Sequence, residues 1–432
     1  MSALRALRAL LAAWRGDRYA HGFVLLLPAI QYGLNYFASV AALLFVLAVW
    51  NTRLRIVALP SLIVLLATGA SLVWAIAWVP DAPNLAREAR LAVGLLVMFW
   101  ALAGTPRHHA ERFDGRWALI VLLALSVFTA LQSLAALKGI SIFVPQKMFF
   151  KADDAALASK WVEHAREHGY QWKLRSAAGF SEPSYLGCVT LLLHFVCLHT
   201  LRGRLRSLAG IVAFATCLIA QTYFGLLSNL AILIVFHARR LPKSFALPAG
   251  VLVLSVIALL VTTDALPLAA QQSGRLMRIL DGQDVSTGLR LFEPFKLIAQ
   301  ILSQAPFGLP LTIVDPYLLR QGLIAPFEDT PLHNGVLNLL FAYGWLGVPL
   351  IGLLWRTAGG GVAALFMLLM MAQNGASLDF DKLAMIIFAT QIARHGPYRQ
   401  TIPRTRAAVR ASSALMPFAP PAAQPERHIR EV

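Results

Sequence analysis

Long apolar runs broken by short polar stretches recur along most of the chain, and twelve of them are expected to be helices. They cover residues 22–34, 36–50, 56–79, 89–104, 117–137, 184–200, 207–221, 223–237, 245–263, 334–355, 358–374 and 384–394. Several fall short of the roughly 20 residues that a straight crossing of a bilayer needs. Two stretches, 22–50 and 207–237, could each form one long helix or two short ones. The polar breaks at Asn35 and Tyr36, and at Gln221 and Thr222, favour two. The expected fold is all-α: a polytopic integral membrane protein of about twelve transmembrane helices. Residues 22–394 form its membrane domain, with two large loops, 138–183 and 264–333, on one side.

Composition agrees with this pattern and narrows it. Of 432 residues, 58% are hydrophobic and only 14% charged, against about 25% charged in a soluble protein. That excludes a soluble enzyme, a disordered chain and a disulfide-stapled secreted domain. Cys188, Cys197 and Cys217 all lie in apolar runs and suit small buried side chains better than a disulfide or metal framework.

The net charge of +17 would suggest nucleic acid in a soluble chain, but here it is first a topology signal. With the N-terminus inside, 23 of the 38 Lys and Arg residues fall in segments on the inner side. Of the other 15, 12 lie in the two long loops, and long loops cross regardless of charge. Twelve spans with both termini inside fit best, and no nucleic-acid partner is implied. Away from their ends the spans carry no Lys, Arg, Asp or Glu, which argues against a proton-coupled transporter. His194 and His199 share a span but are poorly aligned on one face, and read as packed histidines.

Both ends of the chain differ from the middle. In residues 1–21, Leu4, Leu7, Leu11 and Trp14 share one helical face and Arg5, Arg8 and Arg15 another. Such a helix lies on an anionic inner leaflet. A signal peptide with 23–30 as its apolar core is the competing reading; apolar sequence resumes from Val40, which favours an uncleaved span. Residues 395–432, with Arg404, Arg406 and Arg410 and a Pro/Ala-rich stretch, are expected to be disordered and cytoplasmic.

The two long loops concentrate the polar content. Asp153 and Asp154 could cap a helix through Trp161, Val162 and Ala165. Leu291, Phe295, Ile298 and Leu302 form an apolar stripe opposite Lys296 and Gln300, as a helix anchored at a membrane surface would. Three clusters stand where loop meets span. The first is Arg175-Ser-Ala-Ala-Gly179-Phe-Ser-Glu182-Pro183-Ser184. The second is Ser286-Thr-Gly288-Leu-Arg290 with Pro306-Phe-Gly308 downstream. The third is His333-Asn334-Gly-Val-Leu337, with Gly344 and Gly347 along the same span. A lipid head group would lie at that depth.

In their order and topology these clusters resemble the O-antigen polymerase and O-antigen ligase superfamily, the Wzy-like exopolysaccharide or O-antigen polymerases and their ligase relatives. The resemblance covers about residues 20–395. It implies glycosyl transfer at the periplasmic face of a bacterial inner membrane, without a cofactor or metal, as one enzyme of exopolysaccharide or O-antigen biosynthesis. The donor would be a glycan on undecaprenyl diphosphate, taken from the bilayer. Partners would be a chain-length-regulating and export complex of the same pathway. Both termini would be cytoplasmic.

The residues fit that chemistry. Arginine grips phosphate oxygens bidentately and stays charged, so Arg290 and Arg175 suit the leaving diphosphate, though a lone loop arginine also serves as a plain lipid-phosphate contact. With an unperturbed pKa of about 6.5, His333 could accept the proton of the attacking sugar hydroxyl, and Asp329 four residues upstream could orient its ring. The alternative is His333 as an interfacial hydrogen-bonder, with Asn334 a helix cap; the resemblance favours catalysis. The expected set is therefore His333 and Arg290 as catalytic, with Arg175, Glu182, Asp329 and Asn334 binding substrate. Glu182 is also a rival base, or an N-terminal cap ahead of Pro183.

Other patterns carry less. Asp379-Phe380-Asp381 spells a metal-binding Asp-x-Asp, but no stretch has the alternation of the nucleotide-binding domain that such a site needs. Gly359-Gly360-Gly361 lacks the strand of a phosphate loop, and His108-His109 reads as loop polarity. The alternatives to a polymerase are a ligase of the same superfamily, which differs in acceptor, and a lipid-linked oligosaccharide flippase, for which long loops and uncharged spans are unexpected.

Overall fold

The computed structural model describes residues 18–79, 83–107, 113–137, 176–238, 293–323, 334–373 and 378–395. The expected span 245–263, the Asp153–Asp154 helix, the amphipathic N-terminal residues before Arg18 and the basic tail lie outside them. Of the described residues 79% are helical. Among the described residues, four helical stretches are long and apolar enough to cross a membrane: Ala58–Trp78, Arg116–Ala135, Pro183–Thr200 and Gly335–Thr357.

The helices run in chain order as α1 (Arg18–Leu26, then a 3-10 turn Leu27–Ala29), α2 (Val40–Trp50), α3 (Ala58–Trp78), α4 (Leu85–Ala103) and α5 (Arg116–Leu137). After these come α6 (Pro183–Thr200), α7 (Gly203–Ile219), α8 (Tyr223–Ala238), α9 (Glu293–Gln304) and α10 (Leu311–Arg320). The last of the described helices are α11 (Gly335–Tyr343), α12 (Gly347–Thr357), α13 (Gly361–Ala372) and α14 (Phe380–His395).

Both ambiguous stretches form two helices. Pro28 turns α1 into a 3-10 end, because proline fits only the first turn of a helix. The chain then folds back through a hairpin tip before Ser39 caps α2, its hydroxyl accepting from Ala42 N at 3.1 Å. Between α7 and α8, Gln221 takes the left-handed conformation (φ 54), which no continuous helix allows.

The core centres on α6. Apolar all round, it is buried almost everywhere along its length, packed among α5, α7, α8, α13 and α14. Gly187 and Gly225 let α6 and α8 approach backbone to backbone, as small residues do between membrane helices. Phe195 stacks on Phe366 of α13 at 4.2 Å and Phe23 on Phe388 of α14 at 4.1 Å. His194 is fully buried with Nδ1 2.8 Å from Asn229 Oδ1, and His199 Nδ1 lies 2.9 Å from Phe195 O. Both are packed, as expected, and the three cysteines are buried thiols.

Four helices run the same way. At one end Arg90 of α4 meets Asp379 just before α14, and Tyr185 of α6 meets Asp381 of α14. At the other end Gln391 donates to Ala101 O at 2.9 Å, and the Arg394 guanidinium donates to Leu102 O and Thr357 O. There the antiparallel contact of β1 (Thr52–Arg53) with β2 (Thr105–Pro106) also ties α2 to α4. The N-termini of α2, α4, α6 and α14 therefore converge, and their partial positive charges point to one end. The cationic side chain of Arg394 sits at the opposite, carbonyl end.

A second cluster lies around residues 293–323, within the segment expected as a loop. Leu297 and Ile301 of α9 and Ile313, Val314 and Leu318 of α10 pack with Leu337 and Phe341 of α11. The amphipathic helix expected here exists: Ile298 and Leu302 of the expected stripe lie inward with Leu297 and Ile301, and Phe295 is 60% exposed. Contact with α11 sets the face. Leu291 lies outside the described residues.

Candidate functional site

At the converging end, residues 176–182 form a tight loop ahead of α6. Ala178 (φ 46) and Gly179 (φ 89) are left-handed and reverse the chain. Gly179 O accepts from the Tyr32 hydroxyl. The Gln31 amide grips Ser181 twice: Ser181 N donates to Oε1 at 2.8 Å, and Nε2 donates to Ser181 Oγ at 2.9 Å. Ala178 N donates to Gln132 Oε1 at 2.8 Å. Buried polar groups satisfied in this way hold a loop rigidly.

Just inside this loop the structure assembles a centre that sequence reasoning missed. The Tyr185 hydroxyl donates to Asp381 Oδ2 at 2.7 Å. Lys382 Nζ donates to Cys188 Sγ at 2.6 Å and lies 4.7 Å from the centroid of the Tyr185 ring. Asp381 is 3% exposed and Lys382 1%. Two charged side chains thus sit in the first turn of α14, against α6. The helical segment expected at 384–394 begins at Phe380, ahead of the expected start, and its first turn takes both charges inside the bundle. Likewise α4 begins at Leu85, four residues before the expected 89, so Glu88 is buried in its first turn, 7% exposed. The apolar run from Leu383 hid the extra turn, because hydropathy averages away an adjacent pair. The Asp-x-Asp pattern was set aside as a metal motif, yet its second aspartate belongs to this centre.

Of the six predicted site residues, Arg175, Arg290, Asp329 and His333 lie outside the described residues. Glu182 stands at the N-cap position of α6, half-buried, but its side chain makes no capping bond. Its main-chain carbonyl takes the Tyr185 N–H at 3.1 Å instead, so the capping alternative is corrected. Asn334 does cap: its Oδ1 accepts from Val336 N at 3.1 Å and Leu337 N at 3.2 Å. Asn334→Ala is expected to cost about 1 kcal/mol of stability, whereas Asn334→Asp keeps the cap. Thermal denaturation of both variants checks this, and lost activity in the stable Asp variant would mark a role beyond capping.

Parts of the second and third clusters meet. Leu309 N donates to Phe341 O at 2.7 Å and Trp345 N to Pro306 O at 2.9 Å. A Cβ on Gly344 would fall 2.0 Å from Pro306 O, and one on Gly308 2.4 Å from Gly344 N. Both glycines are left-handed, with φ 56 and φ 80. The span starting at Gly335 therefore breaks at Gly344, where the loop segment docks on it. Nearby, Thr312 N donates to Glu88 Oε1 at 3.0 Å and Asn84 N to Thr312 Oγ1 at 3.2 Å, joining α10 to α4. Burial there raises the Asp315 carboxyl above its ordinary value, with Arg87 drawing it partly back.

A helical bundle with membrane-length helices and charged groups buried at one end defines a membrane protein with a polar site at the mouth of the bundle. A family model described as WcaD colanic acid polymerase matches residues 23–386. The chain belongs to that family, one of Wzy-like polysaccharide polymerases. No curated protein and no solved structure matches the chain.

Proposed function

We propose that the protein joins oligosaccharide repeat units carried on undecaprenyl diphosphate, at the periplasmic face of the inner membrane. The family match over residues 23–386 carries this reading. Supporting it are the converging helix N-termini and the buried Lys382 at one end, since such an end favours anionic ligands.

In this reading the acceptor hydroxyl attacks the anomeric carbon of the donor glycan. A new C–O bond forms as the bond to the diphosphate breaks. Arg290 and Arg175 hold the departing diphosphate and neutralise its charge. His333, oriented by Asp329, takes the hydroxyl proton, and Glu182 and Asn334 contact the sugars. Lys382 and Asp381 are positioning residues: both bond to α6 in its first two turns, directly behind the loop that ends at Glu182.

Buried charge also removes one argument against a flippase, so the test must separate the two. Deleting the gene is expected to leave single repeat units on the carrier lipid at the outer face. Repeat units trapped on the cytoplasmic face would identify a flippase. Full-length polymer retained on the carrier would identify a ligase. In the complemented strain, Arg290→Ala or His333→Ala is expected to abolish long-chain glycan with normal protein in the membrane. Full-length polymer from either variant removes that residue from the mechanism.

A further inference from the structure

Outside the buried centre, the same end carries a rim that no role above uses. The hairpin tip between α1 and α2 is locked: Asn35 Oδ1 accepts from Phe37 N at 3.0 Å and Ala38 N at 2.8 Å. Leu34 N donates to Ala38 O at 3.0 Å, and Gly33 bridges Ser39. This tip presents Tyr36 and Phe37, whose rings pack edge to face at 5.6 Å. Both rings lean on Phe380, the residue before Asp381, at 4.8 and 6.2 Å. Phe37 is nevertheless 77% exposed.

Two charged groups frame these rings. The Tyr36 hydroxyl donates to Asp379 Oδ1 at 3.1 Å. Arg90 Nη2 lies 3.6 Å from the same oxygen, and its guanidinium sits 4.9 Å from the Tyr36 ring centroid. The Arg90 side chain is 42% exposed. Among the described residues it makes only this ion pair and ring contact, which leaves most of its five N–H donors for a ligand.

We propose that this rim, Tyr36, Phe37, Arg90 and Asp379, binds one sugar ring of the repeat unit; the proposal rests on the polymerase reading and names where that substrate is held. The apolar C–H face of a pyranose lies flat on an aromatic ring, and vicinal hydroxyls suit a carboxylate beside a guanidinium. A phosphate fits worse, because Asp379 offsets the Arg90 charge and would repel an anion. A simple membrane anchor needs exposed aromatic rings but no ion pair fixing their orientation. The rigid tip means that little order is lost on binding. The rim lies beside the first turn of α14, so a sugar held there is within one helical turn of Asp381 and Lys382.

Full-length protein in lipid nanodiscs is titrated with repeat-unit oligosaccharide released by mild acid from the host's carrier lipid. Wild type binds; Phe37→Ala and Arg90→Gln each weaken binding about tenfold or more, and Phe37→Trp restores it. In polymerisation assays Phe37→Ala raises KM by about the same factor and leaves kcat within about twofold. Absence of wild-type binding, or equal binding by Phe37→Ala and Arg90→Gln, overturns the proposal. So does weakening that Phe37→Trp fails to restore, which would trace the loss to the fold. Failure of the polymerase reading shows separately, as a deletion strain that still makes full-length polymer.

Discussion

Lys382→Met is expected to leave the protein folded, at equal or higher thermal stability, while long-chain glycan is lost. The argument is one of cost. An ammonium 1% exposed has left water, and its contacts among the described residues are the Cys188 thiol and the face of Tyr185. Neither repays desolvation as a paired carboxylate would, and the penalty is several kcal/mol per ion. Methionine has nearly the same length and flexibility and fills the same space without the charge. If Lys382 only packed α14 against α6, the variant would polymerise as well as wild type and melt no lower. Loss of polymer with normal protein in the membrane therefore assigns a functional role to the charge. The checks are the melting temperature in detergent and the size distribution of glycan in the complemented deletion strain. Full-length polymer from Lys382→Met would reduce the centre to packing.

Gly344→Ala is expected to deplete the folded protein from the membrane. Its backbone is left-handed at φ 56 and its Cβ would sit 2.0 Å from Pro306 O. That atom is main chain, held by the Trp345 N–H and unable to swing away. Strain in an unfavourable backbone region and forced overpacking each cost about 1–3 kcal/mol. Their sum, roughly 2–6 kcal/mol, is a large part of a typical stability of about 5–15 kcal/mol. Gly352→Ala, in α12 with open space around its Cβ position, is the control and is expected to be neutral or slightly stabilising. Quantifying both variants in purified membranes checks the prediction. Equal amounts would show that the junction of loop and span can yield.

Legibility in the sequence followed the range of the physics involved. The breaks at Asn35–Tyr36 and at Gln221–Thr222 were readable because polar pairs act within one or two residues of themselves, whereas the early end of α1 at Leu26, set by Pro28, was not anticipated in the expected span 22–34. The helix ends on either side of Gln221 match the expected ones to within four residues. The amphipathic character of α9 was legible, but Phe295 and Leu297 are equally apolar, and docking on α11 decides that Leu297 is inside. Asn334 could be recognised as a cap because capping is local, whereas Glu182 could not be excluded as one until its own carbonyl was seen to take the nearby N–H.

By itself the sequence determined a basic, mostly helical membrane chain, and its order of motifs pointed to the polymerase superfamily. Hydropathy and motif order are properties of the chain, fixed before anything packs. Only the tertiary structure decided that Asp381 and Lys382 lie inside, that Pro306 and Gly344 touch, and that Tyr36, Arg90 and Asp379 share one rim. Each of these joins residues from separate segments of the chain, and which helices run parallel is set by packing rather than by any local preference.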